Sequence, residues 1–232
     1  MTLKRIFAIT VIMLLISGTN SVWAQSCVKP EKPPTMRVDV DATQPQIDHL
    51  RTRNQLRQFQ IDTVSPYAPG AKVHVNGLMR GAIKVETSMN IAWQRLSSGD
   101  ENCYWFNDIH INLMLSPTIY IAAEIPEPTC MYQSVLQHEY RHYAVDLSVA
   151  KDYQLVLQDE LERFLQQTGA IGPFSKQMGD APKQELVKRL DALMQSVNDR
   201  MKYDRMKRQS TIDTREEYER VVRSCPGDQG MM

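Results

Sequence analysis

Between residues 133 and 167 the chain contains neither glycine nor proline, and Leu136, Tyr143, Leu147, Ala150, Tyr153, Leu157, Leu161 and Leu165 recur at helical spacing. So long a stretch without a breaker predicts one long helix, or two that meet at a bend near Ser148. Only a helix carries residues spaced three, four and seven apart on one face. Gly169, Gly172 and Pro173 terminate it. Near its start stands His138-Glu139-Tyr140-Arg141-His142. Residues four apart sit one turn along the same face, so His138 and His142 can offer two imidazole nitrogens to one metal ion. Glu139 points aside, where it reaches a water without ligating the metal. Zinc accepts neutral imidazole at about 2.0–2.1 Å and in catalytic sites keeps one position open. It also lowers the pKa of a coordinated water to about 7. The expected roles are His138 and His142 as ligands of Zn2+ and Glu139 as general base, then acid. The competing reading is a surface helix that carries these residues by chance. Against it, two of only five histidines fall in the motif.

Strand patterns precede the helix. Residues 36–40 alternate, and residues 47–59 carry a weak helical pattern. In residues 82–93, Ile83, Val85, Met89, Ile91 and Trp93 share one parity, while Lys84, Glu86, Ser88 and Asn90 share the other. Residues 97–102 read as a turn. Ile109, Ile111, Leu113 and Leu115 alternate with Asp108, His110 and Asn112, and Ser116-Pro117 breaks that strand before a short third one at residues 118–123. The expectation is an antiparallel meander ahead of the motif helix. After it, Leu186, Leu190, Leu193, Val197 and Met201 mark a helix over residues 183–209, with Pro182 at its start. Residues 213–217 offer a capping-box start for a last short helix ending near Cys225. The fold class is therefore α+β: a small, mostly antiparallel sheet packed on the HExxH helix, with a long C-terminal helical hairpin.

Residues 1–24 read as a signal peptide, with Lys4 and Arg5 ahead of an apolar run from Ile6 to Ile16 and Val22-Trp23-Ala24 at the cleavage site. The run is shorter than the roughly 20 residues that span a bilayer, so no stable membrane anchor is expected after cleavage. Residues 25–232 then form one domain in the periplasm or outside the cell, with its core at about 70–170 and the hairpin and last helix at about 171–225. Removing Lys4 and Arg5 leaves 25 basic against 27 acidic residues. That balance argues against a nucleic-acid partner. An even cysteine count in an exported chain reads as disulfides. Three connectivities are possible for Cys27, Cys103, Cys130 and Cys225. The favoured pairing is Cys103–Cys130 with Cys27–Cys225.

On the HExxH motif the chain resembles the zincin metallopeptidases. The order of signal peptide, strands, motif helix, helical hairpin and final cysteine is also similar to small secreted bacterial zinc-protease-like proteins of unknown function. The resemblance spans about residues 70–170, and only the five-residue motif is specific within it. It implies a sheet beside the active-site helix, with an edge strand lining a cleft that takes substrate in extended form. Residues 118–123 are similar to such a strand. It also implies a peptide or protein substrate, with cell-envelope peptides among the candidates. The alternative is a non-catalytic periplasmic binding or scaffold module whose metal is structural or absent.

The chain departs from the best-known subclasses at the third ligand. A metzincin has glycine three residues after the second histidine and histidine six after it, where this chain has Val145 and Ser148. A gluzincin takes a glutamate from a following helix. Glu162 suits the spacing, yet on a continuous helix it lies about 30 Å from His142. Asp146 shares the histidine face but sits a turn beyond, which suits support of a ligand better than ligation. The helix starting near Lys183 runs back over a similar length. Residues 204–218 therefore return beside the metal, with Asp204, Asp213, Glu216, Glu217 and Tyr218 as candidate ligands or oxyanion donors. His110 reads as a surface histidine.

Overall fold

The computed structural model describes residues 26–28, 30–59, 67, 74–97 and 99–227. The signal peptide expected over residues 1–24 lies outside them. The fold is α+β, and its axis is α2 (Cys130–Thr168), a single unbroken helix of 39 residues. Thr129 caps it by accepting from the Tyr132 amide, and Gly169 ends it at a φ of 54°, in the left-handed region that a glycine enters freely. The helix does not turn back at Ser148.

Two sheets share this helix. In the larger, β5 (Glu101–Leu115) lies between β1 (Thr35–Ala42), which runs parallel to it, and the antiparallel β4 (Lys84–Arg95). The start of β5 also pairs with β7 (Ile171–Ser175). Ile109, Ile111 and Leu113 are fully buried on the inner face, each contributing about 1.5–3 kcal/mol by its removal from water. β5 begins earlier than its alternation predicts, because Cys103, Tyr104 and Phe106 are buried too and the run 103–106 does not alternate.

Of the expected antiparallel meander, β4 and β5 form the first hairpin, but β6 does not pair with β5. At Ser116-Pro117 the chain changes sheets, and β6 (Thr118–Ile121) becomes the centre of a second sheet. It is flanked by the parallel β2 (Gln46–Asp48) and the antiparallel β3 (Gly77–Arg80). Residues 118–123 are therefore not an edge strand; β2 and β3 are the edges. Ile119 and Ile121, on the face toward α2, are wholly buried, whereas Thr118 and Tyr120 on the other face are half-buried. The weak helical pattern over residues 47–59 resolves into β2 and a single capped turn, α1 (Arg53–Leu56).

The C-terminal half of α2 packs on the larger sheet and on α3 (Ala181–Gln209). Its N-terminal half packs on the smaller sheet, with Val221 and Cys225 at the chain's end. α3 returns along α2, and α4 (Arg215–Arg223) follows, capped by Thr214.

The disulfides are Cys27–Cys103 and Cys130–Cys225, not the favoured pairing. The register shows why. β1 pairs in parallel with β5, Thr35 opposite Asp108, so the segment before β1 runs back beside the start of β5 and meets Cys103. Cys130 is the first residue of α2, beyond the far end of a 15-residue strand. At about 3.3 Å per residue that strand spans roughly 50 Å, far more than a disulfide can bridge. Among the described residues no helix is long and apolar enough to cross a membrane. That and the two disulfides are compatible with a secreted or extracellular protein.

Candidate metal centre

α2 presents His138 and His142 one turn apart, on the face toward the end of α3 and the start of α4. Both are buried, at 6% and 8% exposure, as is Asp213 at 8%. These three form the one group among the described residues whose side chains converge as metal ligands do. The two Nε2 atoms are 3.3 Å apart. Asp213 Oδ1 lies 3.2 Å from that of His142 and 3.5 Å from that of His138. A tetrahedral zinc with bonds of about 2.0–2.1 Å requires ligand atoms about 3.3–3.4 Å apart. The three atoms thus fit three corners of that tetrahedron.

The outer nitrogens support the same fit. His138 Nδ1 is 3.3 Å from Glu217 Oε1, and His142 Nδ1 bonds Gln209 Oε1. Each acceptor holds the proton on Nδ1 and leaves the Nε2 lone pair directed at the common point. Both acceptors are themselves held. Glu217 is clamped by Arg220 at 2.8 Å and Arg141 at 2.9 Å. The hydrogen bond from Arg220 comes first among the causes that bring its carboxyl down to about 2. Gln209 donates to the His142 carbonyl at 3.0 Å and to Asp146 Oδ1 at 2.6 Å. Asp146 in turn takes two bonds from Arg205, at 2.7 and 3.1 Å.

Glu139 is 4% exposed, and its Oε2 accepts from the Met79 amide of β3 at 2.7 Å. Burial raises its carboxyl pKa, Asp213 adds to the rise, and the two histidines and the Met79 bond oppose it. For His142, burial opposes the charged form, but the bond to Asp213, the charges of Glu139 and Asp213 and the bond to Gln209 together outweigh it and raise the pKa. The Tyr218 hydroxyl donates to Asp213 Oδ1 at 3.1 Å, and its ring lies 5.6 Å from that of His138. Burial and the Asp213 charge push its pKa far up, so it stays a neutral donor.

No family model matches the chain, and no curated protein or solved structure matches it either.

Of the candidates for a third ligand, Asp213 joins the histidines. Glu217 and Tyr218 touch the site without ligating geometry. Glu162 is exposed on the unbroken helix and bonds Gln166, Asp204 accepts from Tyr153 at 2.8 Å, and Glu216 faces solvent in the first turn of α4. Asp146 supports His142 through Gln209. His110 pairs with Asp39 at 2.8 Å on the outer face of the larger sheet, a surface histidine as read.

Two contributors escaped the sequence reading. Gln209 lies inside the window of residues 204–218 and holds His142 Nδ1. The need of each histidine Nδ1 for an acceptor was the available signal. The second is Gly77. A Cβ there would stand 2.4 Å from Val135 Cγ1 and 2.8 Å from Glu139 Oε1. Glycine inside a strand marks such close approaches.

Proposed function

We propose that this chain is an exported zinc-dependent peptidase, with Zn2+ held by His138, His142 and Asp213 and with Glu139 as general base. The observation that carries the reading is the triangle of two Nε2 atoms and one Oδ1, with tautomers fixed from behind and the motif glutamate beside it. Bound there, zinc would polarise the scissile carbonyl and acidify the attacking water. Glu139 takes the water's proton and returns it to the leaving amine. Tyr218 spends its single O–H on Asp213 Oδ1 in the metal-free chain; with that oxygen on zinc, the hydroxyl would turn to donate to the developing negative charge on the substrate oxygen.

β3 supplies the binding edge. Asn76 O accepts from Ala122 N on the β6 side, while the Met79 amide turns away toward Glu139. By alternation, the Gly77 backbone groups and the Met79 carbonyl face the edge of β3 that no described strand pairs, while the Met79 amide on that edge is taken by Glu139; an extended peptide can add there as a strand.

A binding module with a structural metal is the second reading, favoured by the burial of all three donors. Structural zinc sites, however, are closed by four protein ligands, and among the described residues the converging group has three.

The test is zinc content of the purified mature chain beside His138→Ala and Asp213→Ala, followed by peptide hydrolysis with Glu139→Gln as control. We expect about one zinc per chain, lost in the ligand variants, and hydrolysis at least a hundredfold slower in Glu139→Gln with zinc retained. A parent that takes up no zinc when it is supplied sinks the proposal. Zinc uptake with no hydrolysis of any peptide supports the binding module.

A further inference from the structure

The outer face of the smaller sheet, away from α2, carries a group that the metal centre does not use. Leu78 pairs with Tyr120 and Arg80 with Thr118, so these four side chains share that face. Phe59 packs there against Tyr120, ring centroids 5.0 Å apart. The Arg80 guanidinium lies 5.1 Å from the Phe59 ring. That of Arg51 lies 5.4 Å from Phe59 and 5.6 Å from Tyr120. Two cations therefore share one aromatic ring. Their ion pairing is sparse: Arg51 has Asp48 at 3.6 Å, and among the described residues Arg80 has no ion pair. Both arginines are exposed.

We propose that this pad is a substrate subsite for a carboxylate side chain, selecting peptides with Asp or Glu close to the scissile bond. The proposal rests on the peptidase reading and on β3 as the strand that takes the substrate. An arginine held beside an aromatic face keeps its edge N–H groups free, and those match a carboxylate bidentately. An anion placed between the two cations also relieves their mutual repulsion. Position supplies the link to the metal centre. Arg80 directly follows Met79, whose amide is 2.7 Å from Glu139. A strand added to the edge of β3 that no described strand pairs puts every second side chain on the outer face, level with Leu78 or Arg80. A carboxylate level with Arg80 thus falls within a residue or two of the backbone beside Glu139.

The test uses zinc-loaded Glu139→Gln protein, which holds peptides without turning them over, and fluorescent decapeptides of Ala, Leu and Val with both ends blocked. A single Glu is walked through the positions, with a Gln and a Lys peptide for each. We expect binding at least tenfold tighter for Glu than for Gln at one position, fading as salt is raised. Adding Arg80→Gln should bring that ratio within twofold, and Arg80→Glu should reverse it in favour of Lys. The reversal is a gain that a misfolded protein could not show, and zinc content checks each variant. Equal binding of Glu and Gln peptides at every position overturns the subsite and leaves the peptidase reading standing. Failure of every peptide to bind zinc-loaded protein overturns both. A gain seen only when the C-terminus is left free overturns the side-chain assignment.

Discussion

At the scale of single residues, the centre ties metal uptake to protons. His142 and Glu139 both have raised pKa values in the metal-free protein. Such groups stabilise the fold fully below their unfolded pKa values, near 6.5 and 4.5, and lose that contribution as pH rises through the folded ones. A divalent cation reverses the preference, because it requires neutral His142 and favours ionised Glu139. The rise in Tm on adding zinc should therefore be larger at pH 8 than at pH 6. At a hundredfold excess over Kd the stabilisation is about 2.7 kcal/mol, or roughly 5–10 °C for a chain of this size. Thermal scans with and without zinc across that range measure it, and an equal shift at both values would remove the proton competition. Gly77 poses a steric question at the same scale. With Val135 Cγ1 at 2.4 Å from its Cβ position, Gly77→Ala forces β3 off α2. A loss of about 1–3 kcal/mol is expected from the overpacking, read by urea unfolding. Hydrolysis should fall further than that loss of folded protein explains, because the Met79 amide leaves Glu139.

At the scale of elements, α3 and α4 complete what α2 begins. Gln209 ends α3 and holds His142 Nδ1; Glu217 lies in the first turn of α4 and holds His138 Nδ1. Gln209→Leu and Glu217→Leu should each weaken zinc binding about 10–100-fold, the usual range for partners behind a metal ligand. Calorimetric titration checks this, and affinities unchanged in both variants would dismiss the anchoring role. Much of this assembly was readable from the sequence. The 35-residue run without breakers placed α2, the alternation of Ile109, Ile111 and Leu113 placed β5, and helix rise alone brought residues 204–218 back to the histidines. The choice among those residues was not readable. Asp213 converges with the two histidines because it sits just ahead of α4, where a short side chain reaches Nε2, whereas Glu217, one turn on, meets Nδ1. The edge strand was misread because a strand's own residues do not name its neighbours. β3 and β2, at four and three residues, are too short to show a period, so β6 seemed to lack them.

At the scale of the whole molecule, the metal centre joins chain segments far apart in sequence, and one covalent link spans the same gap. His138 and His142 belong to α2, while Asp213, Glu217 and Tyr218 belong to the C-terminal segment that Cys225 fastens to Cys130, 95 residues away. α4 has nine residues and only Val221 buried within it. A helix so short has little stability of its own and depends on being held against α2. The disulfide and a metal bound at the centre would thus restrain the same segment, and each should strengthen the other. In the chain-entropy account, a loop of this length contributes about 4–5 kcal/mol against the unfolded state, and part of that becomes the cost of ordering Asp213 once the link is cut. The double variant Cys130→Ser, Cys225→Ser should bind zinc at least tenfold more weakly than the parent. The variant Cys27→Ser, Cys103→Ser, whose link fastens the N-terminal segment to β5 at a distance from the histidines, should lose stability with little change in zinc affinity. Zinc titrations of both variants, at a temperature where each is folded, separate local assembly from general destabilisation. If both weaken zinc binding alike, the link to α4 has no special part in building the site. If only the first does, the centre is complete only where that disulfide can form, and an oxidising compartment becomes a condition of its metal chemistry.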